Sequence, residues 1–208
     1  MKTISLNFTK SFFIALSIIF SSLMLTSTAE ATTKDATNFV NDLANRVIDI
    51  VKRSDIKEEA KEAKLNEIFL ASVDTRWIGK FSLAQYWRTI TPEQQSKFLD
   101  LYSKYLTGMY VPNFRKYTGN VVKVLNAKEV RTNEYFVQTV IVDPVNTAGN
   151  IHINYMMRQD PSGLEKFIIF DVIAEGVSLI TTQRAELSSV MTNSGFDSMM
   201  ETLERKTK

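Results

Sequence analysis

From residue 39 to residue 51, Phe39, Val40, Leu43, Val47, Ile50 and Val51 recur every three or four positions. That spacing predicts one amphipathic helix. Residues 55 to 70 predict a second, with KEEAKEAK as its solvated charged face. Thr91-Pro92-Glu93-Gln94 reads as a helix start, with Thr as N-cap, Pro at the first position and Gln at the third. Behind it Phe98, Tyr102, Tyr105 and Met109 form a stripe, with Leu101, Leu106 and Tyr110 alongside. Gly108 and Pro112 should kink or break this helix before Phe114 and Tyr117.

The period then changes. Val121–Val130, Tyr135–Val142, Asn150–Gln159 and Glu165–Ala174 are β-branched and aromatic, separated by short turn sequences. These predict four antiparallel strands in a meander. Helical spacing returns with Val177, Ile180, Leu187 and Met191 on one face, and Ser194-Gly195 precedes a last helix carrying Phe196, Met199, Met200 and Leu203. The pattern predicts an α+β fold: a single domain with a twisted antiparallel sheet of about four strands, packed by N- and C-terminal helices.

A sheet covered on one side should alternate apolar with polar residues. Here Tyr135, Val137 and Ile141 point one way while Phe136, Val140 and Val142 point the other. In the fourth strand, Phe167, Ile169 and Ile173 oppose Ile168, Phe170 and Val172. The excess suits either an ordinary core under a strongly twisted sheet or walls enclosing an apolar ligand.

The N-terminus stands apart. Lys2 and Lys10 are the only charges before Glu30; an apolar run from Phe12 to Leu25 leads to Thr28-Ala29-Glu30-Ala31. This is the layout of a secretory signal peptide cleaved after Ala31, with the domain at residues 32–208. The run is shorter than the roughly 20 residues of a membrane span. Removing Lys2, Lys10 and Glu30 from totals of 25 basic and 23 acidic residues leaves 23 and 22. That balance gives no electrostatic case for nucleic acid. An exported chain without cysteine fits a bacterial periplasm.

Candidate chemistry is sparse. His152 is the only histidine, so a multi-histidine metal site is impossible, and no cofactor is expected. No nucleotide-binding loop or nucleophile elbow appears. Asp171, inside an apolar strand, needs a partner. It either pairs with Arg184 or caps the turn at Gly176-Val177-Ser178, and both are structural roles without catalysis.

VDTRWIGKFSLAQYWRTITPEQQSKFLDLYSKYL (residues 73–106) resembles a segment of the MlaC, or toluene-tolerance auxiliary, family that runs V-D, then L-G-x-Y-W-R, then T/S-P-E-Q. FDVIAEGVSLITTQRAEL (residues 170–187) is similar to that family's D-V-x-x-E-G-V-S-L-x-x-x-x-R segment at Asp171, Val172, Glu175, Gly176, Val177, Ser178, Leu179 and Arg184. Ser194-Gly195-Phe196-Asp197 matches its Gly-apolar-Asp step. Ala84 departs from a usual Gly, and Thr75 from a usual apolar residue.

The resemblance implies a monomeric periplasmic phospholipid carrier, not an enzyme, working between outer and inner membranes in a lipid-asymmetry transport system. Its implied partners are an inner-membrane ABC transporter, reached through a substrate-binding ring protein, and an outer-membrane lipoprotein–porin complex. It makes an apolar cavity the preferred reading of the sheet. The expected helical wall is Tyr102, Leu106, Met109, Tyr110 and Phe114; on the sheet, Val122, Val124, Phe136, Val140, Ile153, Tyr155, Phe167 and Ile169. Asp171, Gly176 and Arg184 belong to the structural motif. The rival readings are a protein-interaction module without lipid and an exported α+β enzyme using Asp171 or His152 as base.

Overall fold

The computed structural model describes residues 31–115, 119, 121–143 and 149–207. Residues 1–30 of the expected signal peptide, and Tyr117, lie outside them. Helix α1 (Thr33–Lys52) begins in a capping box between Thr32 and Asp35. Its Ala36, Phe39 and Val40 are buried. Helix α2 spans Glu58–Ser72, and α3 spans Thr75–Leu83 with the Asp74 carboxylate accepting from the Trp77 amide. A 3-10 turn, Ala84–Arg88, leads to α4 (Pro92–Phe114). Thr91 and Gln94 cap α4 reciprocally, as the spacing predicts.

The long helix corrects one expectation. It runs through both Gly108 and Pro112 to Phe114. Proline removes one donor and crowds the carbonyl four residues back. That carbonyl belongs to Gly108, which has no Cβ, and only Asn113 and Phe114 follow Pro112 in the helix.

Strands β1 (Val121–Arg131), β2 (Glu134–Val142), β3 (Ile151–Gln159), β4 (Phe167–Ala174) and β5 (Val177–Ser178) form one antiparallel sheet in sequence order. The fifth strand replaces the expected start of a helix: Val177 is 62% exposed in β5, and α5 begins at Leu179. Glu175 and Gly176 both take positive φ, 48° and 81°, which fits the two-residue turn joining β4 to β5. Helix α5 (Leu179–Thr207) breaks at Gly195, where φ is 77° and ψ is −176°. The last helix expected after Ser194-Gly195 is its second half.

Strand parity holds in β2 and fails in β4. Tyr135 pairs with Met157 and Val137 with Tyr155, so these four share one face. On β4, Ile169 pairs with Met157 but Val172 with Tyr155, with an irregularity between Met156 and Met157. The bulge leaves Phe170 without a partner in the register, and Ile169 and Val172 come onto the same face three residues apart. A strict period of two had opposed them. Val73 adds a parallel bridge to Ile169 on the other edge of β4.

The core lies between this face and the helices. Phe167 meets Phe39 of α1 at 5.7 Å and Tyr135 at 5.3 Å, both edge to face. On α4, Phe98, Tyr102 and Tyr105 follow one another at 5.2 and 5.8 Å. No helix among the described residues is long and apolar enough to cross a membrane.

Candidate functional site

The helix-facing side of the sheet changes character along its length. At one end Tyr135, Val137, Met157, Phe167 and Ile169 are at most 2% exposed. Toward the other end, Val124, Ala127, Tyr155 and Val172 are half-buried against the same core, with Val122 and Ile153 half-buried beyond them. The register joins these positions: Val122 opposes Ile141, Val124 opposes Thr139, and Thr139 opposes Ile153. Thr139 is the polar group on this stretch, and its hydroxyl donates to the Ile153 carbonyl, so no unmet donor spoils an apolar surface.

Helix α4 shows the same gradient. Tyr102 and Leu106 are fully buried, whereas Met109, Tyr110 and Phe114 are half-buried. Phe69 of α2 lies 6.5 Å from the Tyr110 ring and 6.4 Å from that of Phe114. Burial pushes the Tyr110 phenol up to about 12 and raises that of Tyr102 as well, so both stay neutral at physiological pH. Tyr102 donates to Gln183 at 3.3 Å within the core. The helix-facing side of the sheet is thus a seam of apolar, uncharged side chains, fully buried at one end and half-buried at the other, and α4 grades the same way.

The expected lining residues divide three ways. Met109, Tyr110, Phe114, Val122, Val124, Ile153 and Tyr155 occupy the half-buried stretch. Tyr102, Leu106, Phe167 and Ile169 sit in the closed part. Phe136 and Val140 alternate to the opposite face of β2, where the Lys128 ammonium lies 5.5 Å over the Phe136 ring. The sequence reading did not include Leu43, Val47, Ile50 and Val51 of α1, half-buried against the core, or Ala127 and Val172. The α1 residues carried a signal in their helical spacing. Val172 carried none, because the bulge that turns it inward is tertiary.

Asp171 is resolved as a cap. It is 6% exposed and accepts from Ser178 Oγ at 2.7 Å and from the Ile180 amide at 3.2 Å, tying β4 to the start of α5. The alternative pair with Arg184 does not form: the Arg184 guanidinium lies 5.4 Å over the Phe81 ring instead. His152 is exposed, and its amide donates to the Glu175 carboxylate at 2.5 Å. Two surface clefts, of about 280 and 360 Å³, lie elsewhere. The first sits between Tyr105 and α5, the second between α1 and Glu165-Lys166, and none of the thirteen expected lining residues borders either.

Comparison with known proteins gives a consistent picture. The family model described as MlaC protein matches residues 41–205. The intermembrane phospholipid transport system binding protein MlaC of Haemophilus influenzae is 19% identical over 201 residues, covering 94% of this chain and 92% of its own. A solved phospholipid-binding protein from Ralstonia solanacearum, in complex with a phospholipid, shares the fold with a TM-score of 0.69 at 15% identity. That likeness covers 83% of this chain and 96% of the other.

Proposed function

The chain belongs to the MlaC family, and on that premise we propose that it is a periplasmic phospholipid carrier of an Mla-type transport system. The observation that carries this reading is the half-buried apolar seam at the Val122, Val124, Ile153, Tyr155 and Val172 end of the sheet, together with Met109, Tyr110 and Phe114 of α4, half-buried against the same core. Acyl tails enter there, and the head group stays near solvent. The relatives support the same cargo, since one is named for phospholipid transport and another was solved with a phospholipid bound.

Two acyl chains hold roughly 30 methylenes, each worth about 0.8 kcal/mol when hidden from water. A gross term on the order of 20 kcal/mol makes release into water very slow. Exchange with a bilayer, itself apolar, is close to neutral. Handover therefore needs a partner that parts the helices from the sheet and offers the tails a continuous apolar route. Neither a catalytic group nor a cofactor enters this cycle; direction comes from an ATP-driven partner or from relative affinities. The partners on this reading are an inner-membrane ABC transporter with its ring protein and an outer-membrane lipoprotein–porin complex, and the carrier works as a monomer that maintains outer-membrane lipid asymmetry.

Export fits cleavage after Ala31. That cut removes the Ala31 carbonyl, which accepts the Tyr135 hydroxyl. It also leaves the Thr32 nitrogen, 2.9 Å from the Asp35 carboxylate, as a charged terminus facing an acid.

Native mass spectrometry of the exported protein, purified without detergent, tests the reading. A mass increment of one phospholipid, lost on denaturation, is the expected result. Tyr155→Asp should cut retained lipid about tenfold or more, because a carboxylate beside acyl chains is costly to desolvate. A bare polypeptide mass would leave a protein-interaction module as the better description.

A further inference from the structure

The lipid seam does not use the surface formed by α3, the 3-10 turn and the start of α5. Trp77, Lys80 and Phe81 are spaced i, i+3 and i+4 on α3 and share one face. The Trp77 and Phe81 rings stack at 4.9 Å. Three cations lie over rings here: Arg158 is 5.3 Å from Trp77, Arg184 is 5.4 Å from Phe81, and Lys80 is 5.7 Å from Trp87. Phe81 is nevertheless 40% exposed. Stacking fixes each cation without neutralising it, and such contacts at exposed sites are worth only about 0.5–1 kcal/mol.

The charges are unevenly matched. Arg158 pairs with Asp74, and Arg76 pairs with Asp100 at 2.9 Å. Among the described residues, Lys80, Arg88 and Arg184 form no ion pair. All three are exposed. An otherwise nearly neutral chain thus carries three unpaired cations on these elements: Arg184 over the exposed Phe81 ring, Lys80 over Trp87, and Arg88 on the 3-10 turn. Arginine and aromatic residues held in fixed geometry are the usual anchors of protein interfaces. A guanidinium immobilised on a ring presents its donors as a fork that fits a carboxylate.

We propose that this surface docks an acidic segment of a partner protein. Charge complementarity selects that occupant. An anionic membrane is a poorer match, because lipid-surface recognition gathers about 4–8 cations, and this surface offers three unpaired ones with a single exposed large apolar side chain, Phe81. The inference does not depend on the identity of the cargo.

Both tryptophans of the chain, Trp77 and Trp87, flank the surface and report on it directly. The exported protein would be titrated at low salt with short poly-L-glutamate while tryptophan fluorescence is followed. A saturable change is expected. Arg184→Glu and Lys80→Glu should each weaken binding about fivefold, the scale of one exposed charge pair, with melting temperatures within a few degrees of the parent's. Lys123→Glu, an exposed position on β1 with the same change in net charge, should bind like the parent. Equal weakening by Lys123→Glu would reduce the effect to overall charge and overturn the proposal. So would the absence of saturable binding, or binding confined to phosphatidylglycerol–phosphatidylcholine vesicles.

Discussion

Ala84 ends α3 with φ of 53° and ψ of −124°, a conformation that glycine adopts freely and alanine does not. Strained backbone of this kind costs on the order of 1–3 kcal/mol, while glycine's extra unfolded-state entropy returns about 0.5–1. Ala84→Gly should therefore stabilise the protein by about 1 kcal/mol, read as a higher urea midpoint at constant slope. Five residues earlier the sign reverses. A Cβ on Gly79 would meet Tyr102 Cδ1 at 2.8 Å and Leu99 Cδ2 at 3.1 Å. Tyr102 is fully buried between Phe98 and Tyr105 and has no room to yield. Despite alanine's better helix propensity, Gly79→Ala should cost about 1–3 kcal/mol in the same assay. Neither effect is visible in the local sequence, where Gly79 is one glycine in an amphipathic stretch and Ala84 shows only as a departure from the family's usual Gly. The first needs the approach of α4, the second the dihedral angles at the end of α3.

Helix α1 is fastened to the β3–β4 hairpin by two ion pairs, Asp35 to Lys166 at 2.8 Å and Arg46 to Glu165 at 2.6 Å. Lys166, and after it Thr32, holds the Asp35 carboxyl down at about 2. A carboxyl depressed in the folded state contributes stability above its unfolded pKa, near 3.9, and loses it as pH falls through the folded value. Melting temperatures should accordingly fall more steeply between pH 4 and pH 2 in the parent than in Asp35→Asn. Equal slopes would mean that the pair is broken in solution. At this scale the sequence was informative about existence and poor about ends. The cap at Thr91, the stripe on α4 and four of the five strands follow from spacing, because burial of one helix face or strand leaves a periodic trace. The continuation of α4 through Pro112 and the short β5 at Val177 do not, since each depends on what lies beside it.

For the molecule as a whole, the gradient from closed core to half-buried seam predicts where motion should concentrate. Amides around Val124, Ile153 and Tyr155, and those of α4 after Leu106, should exchange with solvent faster than those around Tyr135, Met157 and Phe167. Added phospholipid should slow the first group selectively and raise the melting temperature, as any ligand specific to the folded state does. Uniform protection on loading would place the lipid elsewhere. The expected lining took Phe136 and Val140 from the wrong face of β2 because both faces carry apolar residues, and periodicity cannot rank two equivalent faces. The choice is made by Phe39 against Phe167, which seats α1 on one side and leaves Phe136 and Val140 on the other. The sequence by itself determined the order and kind of most elements, the capped start of α4, the scarcity of catalytic groups and the family, since these rest on local spacing and quoted motifs. Only the tertiary structure decided which face is inner, that Asp171 caps α5 rather than pairing with Arg184, and that Val172 turns toward the seam. Those outcomes depend on contacts between distant segments and on one bulge, and neither leaves a periodic mark along the chain.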